Sequence, residues 1–372
     1  MVEVGTLEEG TAWVEGTALV EQAEIAQERR KLATIQVLTA LDPIDWADSI
    51  ERATVLGWHV VVRKGAHHVG DPVVYLEIDS LVPQGPEWAE FLKPPHRLRT
   101  KKLRGQISQG LVLSVDECLP EGLAKRLKDA ETYPGFLETK LGLDVSRLLG
   151  VVKWESQAKG RCPDALGPFP HFVPKTDELR VQSYPGALDD LAGLAYVITQ
   201  KLDGCSGTYW RLSDTEYGLA SRNLTLKPTG DSFWHRVAVN LNIFDRLPPG
   251  FAVQGEIVGP QIKNNPLGLA SQEFYVFSVW DIGKHCFLGH FELQRFCDQH
   301  GLPMVPVLYL GDSFDCSLHR LLEIARGQYA SGRHQEGIVV RSVDERYSPA
   351  LKGRLSFKVI NNDYLLKGGG EQ

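Results

Sequence analysis

The sequence has little of what would place it in a membrane, in a disulfide framework or around a structural metal. No apolar run approaches the roughly 20 residues that a spanning helix needs. Only six cysteines occur in 372 residues (Cys118, Cys162, Cys205, Cys286, Cys297 and Cys316), and none forms a CxxC pair. With no signal-peptide pattern before them, free thiols in a reducing cytoplasm are expected, and no structural zinc. His67-His68 reads either as a metal pair or as a surface pair in a turn. Adjacent strand residues point to opposite faces, which favours the turn. No internal repeat or low-complexity segment is visible. An excess of positive charge is also missing: 40 Lys and Arg against 47 Asp and Glu give a net charge of −7. That excludes a protein coated in basic surface and leaves room for a local basic groove.

What remains is the composition of an ordinary soluble protein, 43% hydrophobic and 23% charged. The length suits two domains, each with a sizeable core. Residues 1–30 form a Glu-rich, weakly patterned extension. From Lys31 the texture changes. KLATIQVLTALDPI reads as a strand and a Pro-marked bend, and ADSIERATVLGWHVVVRKG as two strands around Gly57. DPVVYLEIDSLVP and RTKKLRGQISQGLVLSV add short strands at Gly-marked turns. Strands at this spacing predict a small all-β barrel over 31–120, of the size of an OB-fold. Within it Arg97, Arg99, Lys101, Lys102 and Arg104 are the densest positive run in the chain. Such a run is either a solvated loop or a surface that tracks phosphates.

Residues 121–174 read as a helical and Pro/Gly-rich connection. GLAKRLKDAE and GFLETKLGLDVSRLLG have helical patterns, and Pro163, Pro168, Pro170 and Pro174 come after them. Beyond it, over 175–372, strand-like runs such as LAYVITQKLDG, FAVQGEIVG, EFYVFSVWDI and EGIVVRS alternate with helical patterns. This predicts an α+β domain of mainly antiparallel sheets with flanking helices.

The stretch VITQKLDGCSG, Val197 to Gly207, sets the functional question. A lysine closes an apolar strand and meets Asp203-Gly204. One reading is a hairpin turn; the other is a nucleophilic lysine. The order of the polar residues downstream favours the second. Arg222 lies in Ser-Arg-Asn, Glu256 in FAVQGE, Phe277 in EFYVF, Glu336 and Val339 in EGIVV, and Lys358 in LSFKV. From Lys201 to Glu256, Glu336 and Lys358 the spacings are 55, 80 and 22 residues. Each element alone is weak; their joint order is not.

This set resembles the covalent nucleotidyltransferases, the polynucleotide ligases and mRNA capping enzymes. The resemblance implies that Lys201 attacks the α-phosphate of a nucleotide and carries AMP as a phosphoramidate. Attack needs a neutral lysine, so a lowered pKa is expected, from burial and from positive neighbours such as Lys358 and a divalent metal. Negative charge growing on the phosphate needs cations aimed there in advance. Glu256 and Glu336 have two tasks open to them, accepting from ribose hydroxyls and holding a metal. By match to the family motifs, Arg222 would contact the ribose or the incoming 5′-phosphate. Glu256 would bind ribose, Glu336 would serve the metal and Lys358 would bind the α-phosphate. Gln200, Asp203 and Gly204 belong to the nucleotide site. Phe277 offers a flat face to the purine, and Val339 closes the other face. One position departs from the pattern. The last motif usually carries two lysines one residue apart, and Ser356 stands at the first; Lys352 or Arg354 is the expected compensation.

The predicted barrel precedes the catalytic segment, and only 14 residues lie beyond Lys358. With RGQISQGLVL, FVPKTDELRVQ and QKLDG, this order resembles the ATP-dependent RNA ligases of the Deinococcus and Naegleria type, over about residues 30–367. That family pairs an N-terminal OB module with a nucleotidyltransferase domain, an ATP-grasp-like ligase fold. The resemblance implies an enzyme using ATP and Mg²⁺ or Mn²⁺, and a monomer is expected. Its partner would be a nicked duplex of RNA or an RNA/DNA hybrid, with a ribonucleotide at the 3′-OH end. The alternatives are a DNA ligase, an NAD-dependent ligase and a catalytically inactive nucleic-acid-binding OB protein. An NAD-dependent ligase would usually bring a zinc module, which the cysteines do not supply.

Overall fold

The computed structural model describes residues 30–154 and 163–368. The 1–30 extension therefore lies outside the described residues, except for Arg30, and so does Cys162.

The first unit is a closed five-stranded barrel. Its first strand is bent into Ala33–Val37 and Ala40–Pro43, and the second part pairs antiparallel with Ile50–Val55. Ile50–Val55 turns at Leu56-Gly57 into Trp58–Arg63. Trp58–Arg63 alternates between buried and half-buried positions, as a barrel wall requires. Pro72–Leu76 lies between Ala33–Val37 and Leu111–Ser114. Closure comes at the last strand: the Gln109 N–H donates to the His59 carbonyl at 2.8 Å, and the Val61 N–H to Ser108 Oγ at 3.0 Å. These two bonds join the edge strand Trp58–Arg63 to the chain that leads into Leu111–Ser114.

The expected connection is not loose chain. Helix Glu121–Lys128 forms, but the next helix covers only Phe136–Lys140 and ends before Gly142, which has φ +73°. Ala124, Leu127, Val145, Leu149 and Val151 pack into the same core as Ile35, Val74 and Leu113 of the barrel. Further on, Ala165–Pro168 pairs with Leu224–Leu226, and Phe169, Phe172 and Val173 pack against Trp210. Both halves of the segment are thus parts of the cores they adjoin.

The second unit is built on two sheets that face each other across a cleft. The seven-stranded sheet is antiparallel, in the order Ala165–Pro168, Leu224–Leu226, Tyr217–Ala220, Cys205–Arg211, Phe251–Val258, Glu273–Asp281 and Cys286–Phe287. Its outer face is covered by helices Phe233–Asn240 and His290–His300 through Tyr209, Val253, Ile257 and Phe274. The five-stranded sheet runs Leu179–Arg180, Ser356–Ile360, Gly337–Ser342, Tyr196–Lys201 and Val307–Gly311. Only its Leu179–Arg180 pairing is parallel. Gly337–Ser342 is buried along its whole length. Ile338 and Val340 pack outward on the core under helices Gly186–Leu191 and Leu318–Ile324, while Val339 and Arg341 line the cleft.

The barrel seats on this unit through polar groups. The Gly57 N–H donates to the Gln182 carbonyl at 2.9 Å, and Trp58 Nε1 donates to Ser183 Oγ at 3.2 Å. Buried Asp79 accepts Arg180 at 3.3 Å from the second unit and Arg97 at 2.7 Å from its own. Leu365, in the last helix Asn362–Leu366, packs on the barrel core.

Candidate active site

Lys201 is the last residue of its strand, and the next three residues carry the chain from the five-stranded sheet to the seven-stranded one. The KLDG stretch is therefore a crossing between sheets and not a hairpin, which corrects the turn reading. A hairpin would keep both strands in one sheet; here the lysine is left at the seam. Gly204 makes the crossing possible. A Cβ there would sit 2.2 Å from the Ile257 carbonyl oxygen and 2.9 Å from Glu256 Cγ. Only a residue without a side chain allows that approach. The Gly204 N–H in turn donates to Glu256 Oε1 at 3.1 Å.

Glu336 immediately precedes the strand paired with that of Lys201, and Lys201 lies opposite Gly337. Gly337 is needed there because a Cβ would meet the Val359 carbonyl oxygen at 2.1 Å. The two side chains close over this pair: Lys201 Nζ lies 2.7 Å from Glu336 Oε2. Lys358 comes from the next strand, opposite Val339, and its charge also acts on Glu336. Glu256 and Phe277 come from the facing sheet. All of these, with Gln200, Gly204, Arg222 and Val339, line one cavity of about 400 Å³. That is the size of an ordinary small-ligand pocket.

The electrostatics of the cavity correct one expectation. Burial alone would push the Lys201 pKa down, but Glu336 and Glu256 outweigh it, and the lysine stands above its ordinary value. The Lys201 amine therefore rests as an ammonium. Burial, with the Glu336 charge beside it, pushes the Glu256 carboxyl up to about 7. Burial also acts to raise Glu336, yet Lys201, then Lys263 and Lys358, hold it below the usual range. Burial keeps the Cys205 thiol up at about 11, so it does not compete as a nucleophile.

An RNA ligase family model matches residues 194–360, and an OB-fold domain model matches 32–115. No curated protein matches the chain. Among solved structures, the Naegleria gruberi RNA ligase is 32% identical. The match covers 91% of this chain and 99% of that one, with a TM-score of 0.77. That structure is a lysine-to-methionine variant with AMP and Mn. A lysine-to-alanine variant with ATP and Mn aligns at 32% identity, 91% and 99% coverage and TM-score 0.76. The form with PPi has the same identity and coverage, at 0.77.

The chain belongs to the RNA ligase family.

Some residues expected at the ligase site stand elsewhere. Asp203 does not line the cavity. It is 6% exposed and sits behind the lysine, where it pairs with Lys263 Nζ at 3.1 Å and accepts the Tyr364 hydroxyl. Arg222 lines the cavity mouth and is held by Asp177 at 2.8 Å. Ser356 turns its hydroxyl to Arg341 Nε at 2.9 Å. Lys352 and Arg354, the expected compensation, are not among the residues that line the cavity. Arg354 is bound to Glu345 and Ser278 and lies over the Phe287 ring, 4.4 Å from its centroid.

On the barrel, Lys101, Lys102 and Arg104 are exposed on the hairpin formed by Lys101–Leu103 and Gln106–Ser108, and Arg99 is exposed just before it. Arg97 is not part of this surface. Its side chain is 12% exposed, bound to Asp79, and stacked over Trp154 at 5.1 Å. The buried carboxylate claims it first.

Among the residues sequence reasoning missed are Lys263 and Arg341, which line the cavity, and Tyr329, which lies beside it without lining it. Lys263 enters the cavity from the loop after Val258, in a run of left-handed residues at 263, 264 and 265. Arg341 carries the wall around Phe277, donating to its carbonyl and to Glu178 at 2.8 Å. Tyr329 donates to the Lys201 carbonyl. Arg341 was readable as the residue two after Val339 on the same strand face. Lys263 and Tyr329 are in loops, where no periodicity marks a direction.

Proposed function

We propose that this chain is an ATP-dependent RNA ligase that seals 3′-OH/5′-phosphate nicks through a lysyl-AMP intermediate on Lys201. The observation that carries this reading is the convergence of Lys201, Glu256, Glu336 and Lys358, from both sheets, on one cavity beside a strand-end lysine. The relatives solved with ATP, with AMP and with PPi support a nucleotide as its occupant.

In the first step Lys201 Nζ bonds to the α-phosphorus. The bond from that phosphorus to the oxygen bridging the β-phosphate breaks, and pyrophosphate leaves. The ammonium proton must go first, and Glu336 is the acceptor within reach at 2.7 Å. In the second step an oxygen of the 5′-phosphate attacks the same phosphorus and the N–P bond breaks; the lysine then takes a proton back. In the third step the 3′-hydroxyl attacks the activated 5′-phosphate, and AMP leaves. Lys358 and Lys263 aim positive charge at the phosphate end. Phe277 and Val339 hold the purine between them, and Arg222 reaches the ribose or the 5′-phosphate.

The donor set fits a divalent cation. Two carboxylates share a buried end of the cavity, and burial, with the Glu336 charge beside it, holds the Glu256 carboxyl up at about 7. Glu256 and Glu336 would hold Mg²⁺ or Mn²⁺, which would supply charge to offset that on the transferring phosphate. Arg99, Lys101, Lys102 and Arg104 give the barrel its contact with the duplex backbone. An A-form stretch next to the nick would be read through 2′-hydroxyls and shape.

The test is a panel of nicked duplexes that differ only in the sugar at the 3′-OH end. Faster sealing of a ribonucleotide end is expected. Equal sealing of an all-DNA nick contradicts the RNA assignment.

A further inference from the structure

Tyr329 is 5% exposed, and its ring packs with Leu202, Val258 and Val305. Its hydroxyl donates to the Lys201 carbonyl at 2.8 Å and accepts the Glu336 N–H at 3.1 Å. One oxygen therefore joins the backbone of the last residue of one strand to the backbone of the residue that opens its neighbour. These are the two residues whose side chains meet over the cavity. Tyr329 is not a cavity-lining residue.

The loop that carries it is fixed on its other side. The Tyr329 N–H donates to the Arg333 carbonyl at 2.9 Å, and the Gly332 N–H to the Tyr329 carbonyl at 2.9 Å. Ser331 Oγ donates to the Pro266 carbonyl at 2.6 Å, and Arg333 Nη1 to the Asn264 carbonyl at 2.9 Å. Pro266 and Asn264 belong to the loop that brings Lys263 to Asp203. The phenol is thus held from outside the cavity while its hydroxyl reaches the seam between the strands. Burial drives its pKa far above the ordinary tyrosine value, so it stays a donor across the working pH range.

We infer that Tyr329 is a positioning residue for adenylyl transfer: it fixes the Lys201 and Glu336 backbones relative to each other, so that the nucleophile stands in line with the phosphate. The inference rests on the lysyl-AMP reading of Lys201. Tyr329 does not line the cavity and acts through the two residues it joins. A packing residue would leave the chemistry alone once the fold is kept. A positioning residue changes the rate at saturating nucleotide, because misplacement by about 1 Å costs on the order of 100-fold in rate.

The experiment is single-turnover adenylylation by the full chain with Tyr329→Phe, which keeps the ring and removes the bridge. The expected result is a rate at saturating ATP lower by roughly 10- to 100-fold, with the ATP KM within about threefold of the parent. A nick that already carries AMP on its 5′-phosphate does not use the Lys201 amine. Joining of that nick is expected to keep most of the parent rate. Ser331→Ala, which frees the loop without touching the seam, is expected to give the same split at smaller size, and it provides the test if Tyr329→Phe does not fold. A Tyr329→Phe adenylylation rate equal to the parent's overturns the inference. So does an equal loss in both assays, which marks a purely structural residue. A parent that takes no AMP at all overturns the lysyl-AMP reading and this inference with it.

Discussion

Lys201 Nζ and Glu336 Oε2 are 2.7 Å apart, and their backbones sit at the same end of two paired strands. The Lys201 amine is therefore held as half of an ion pair. Its resting charge is the one that cannot attack. Cationic Lys263 and Lys358 act on the same Glu336 carboxylate. Any positive charge brought to the carboxylates weakens the hold on the Lys201 proton, so activation and cation binding are linked by Coulomb's law alone.

Glu256 gives a pH dependence of stability whose sign can be worked out. Its carboxyl moves from an ordinary 4.5 to about 7 in the folded chain, chiefly through burial. A raised carboxyl pKa favours folding below the unfolded value, and that contribution is lost as pH rises through about 7. In metal-free buffer, urea titrations at pH 5 and pH 8 are expected to show Glu256→Gln gaining on the parent at the higher pH. The expected gain is on the order of 2 kcal/mol. A difference that is the same at both pH values contradicts the assignment.

Lys263 and Asp203 are expected to behave as a coupled pair. Lys263→Gln leaves a buried carboxylate short of its partner and is expected to cost about 2–3 kcal/mol. Adding Asp203→Asn removes the unpaired charge, so the double variant recovers much of that loss. The coupling is read from a four-member thermodynamic cycle of denaturant melts. Simple additivity would mean that the 3.1 Å contact carries no energy.

The basic residues of the barrel divide into two kinds. Lys101→Ala, Lys102→Ala and Arg104→Ala together are expected to weaken nick binding by at least about tenfold and to flatten its salt dependence, with Lys201 labelling nearly intact. Arg97→Ala is expected instead to cost about 1–3 kcal/mol of stability, since Asp79 loses its shortest partner. Fluorescence anisotropy on a nicked duplex at several salt concentrations checks the first. An equal fall in labelling would make the hairpin part of the scaffold.

Sequence order made much of this site legible because strands carry most of it. Lys201, Glu256, Phe277, Val339 and Lys358 lie on strands, and Glu336 just before one, so an apolar run beside a charged residue marks each. Barrel strands were visible for the same reason, through alternation and Gly turns. Three things were hidden. KLDG looks like a hairpin because local sequence does not state which sheet the next strand joins. Arg97 looks like its neighbours because its buried partner, Asp79, is 18 residues earlier in the chain. The raised Lys201 pKa depends on two carboxylates, 55 and 135 residues away, whose distance only the fold decides.

The central claim is that Lys201 takes AMP from ATP. Its most direct test is incubation of the full chain with α-labelled ATP and Mn²⁺, followed by denaturing electrophoresis and peptide mapping. An acid-labile label is expected on the Lys201 peptide, released by pyrophosphate and absent from Lys201→Ala. A parent chain that takes no label across metals and pH, or a Lys201→Ala chain labelled as strongly as the parent, would contradict it.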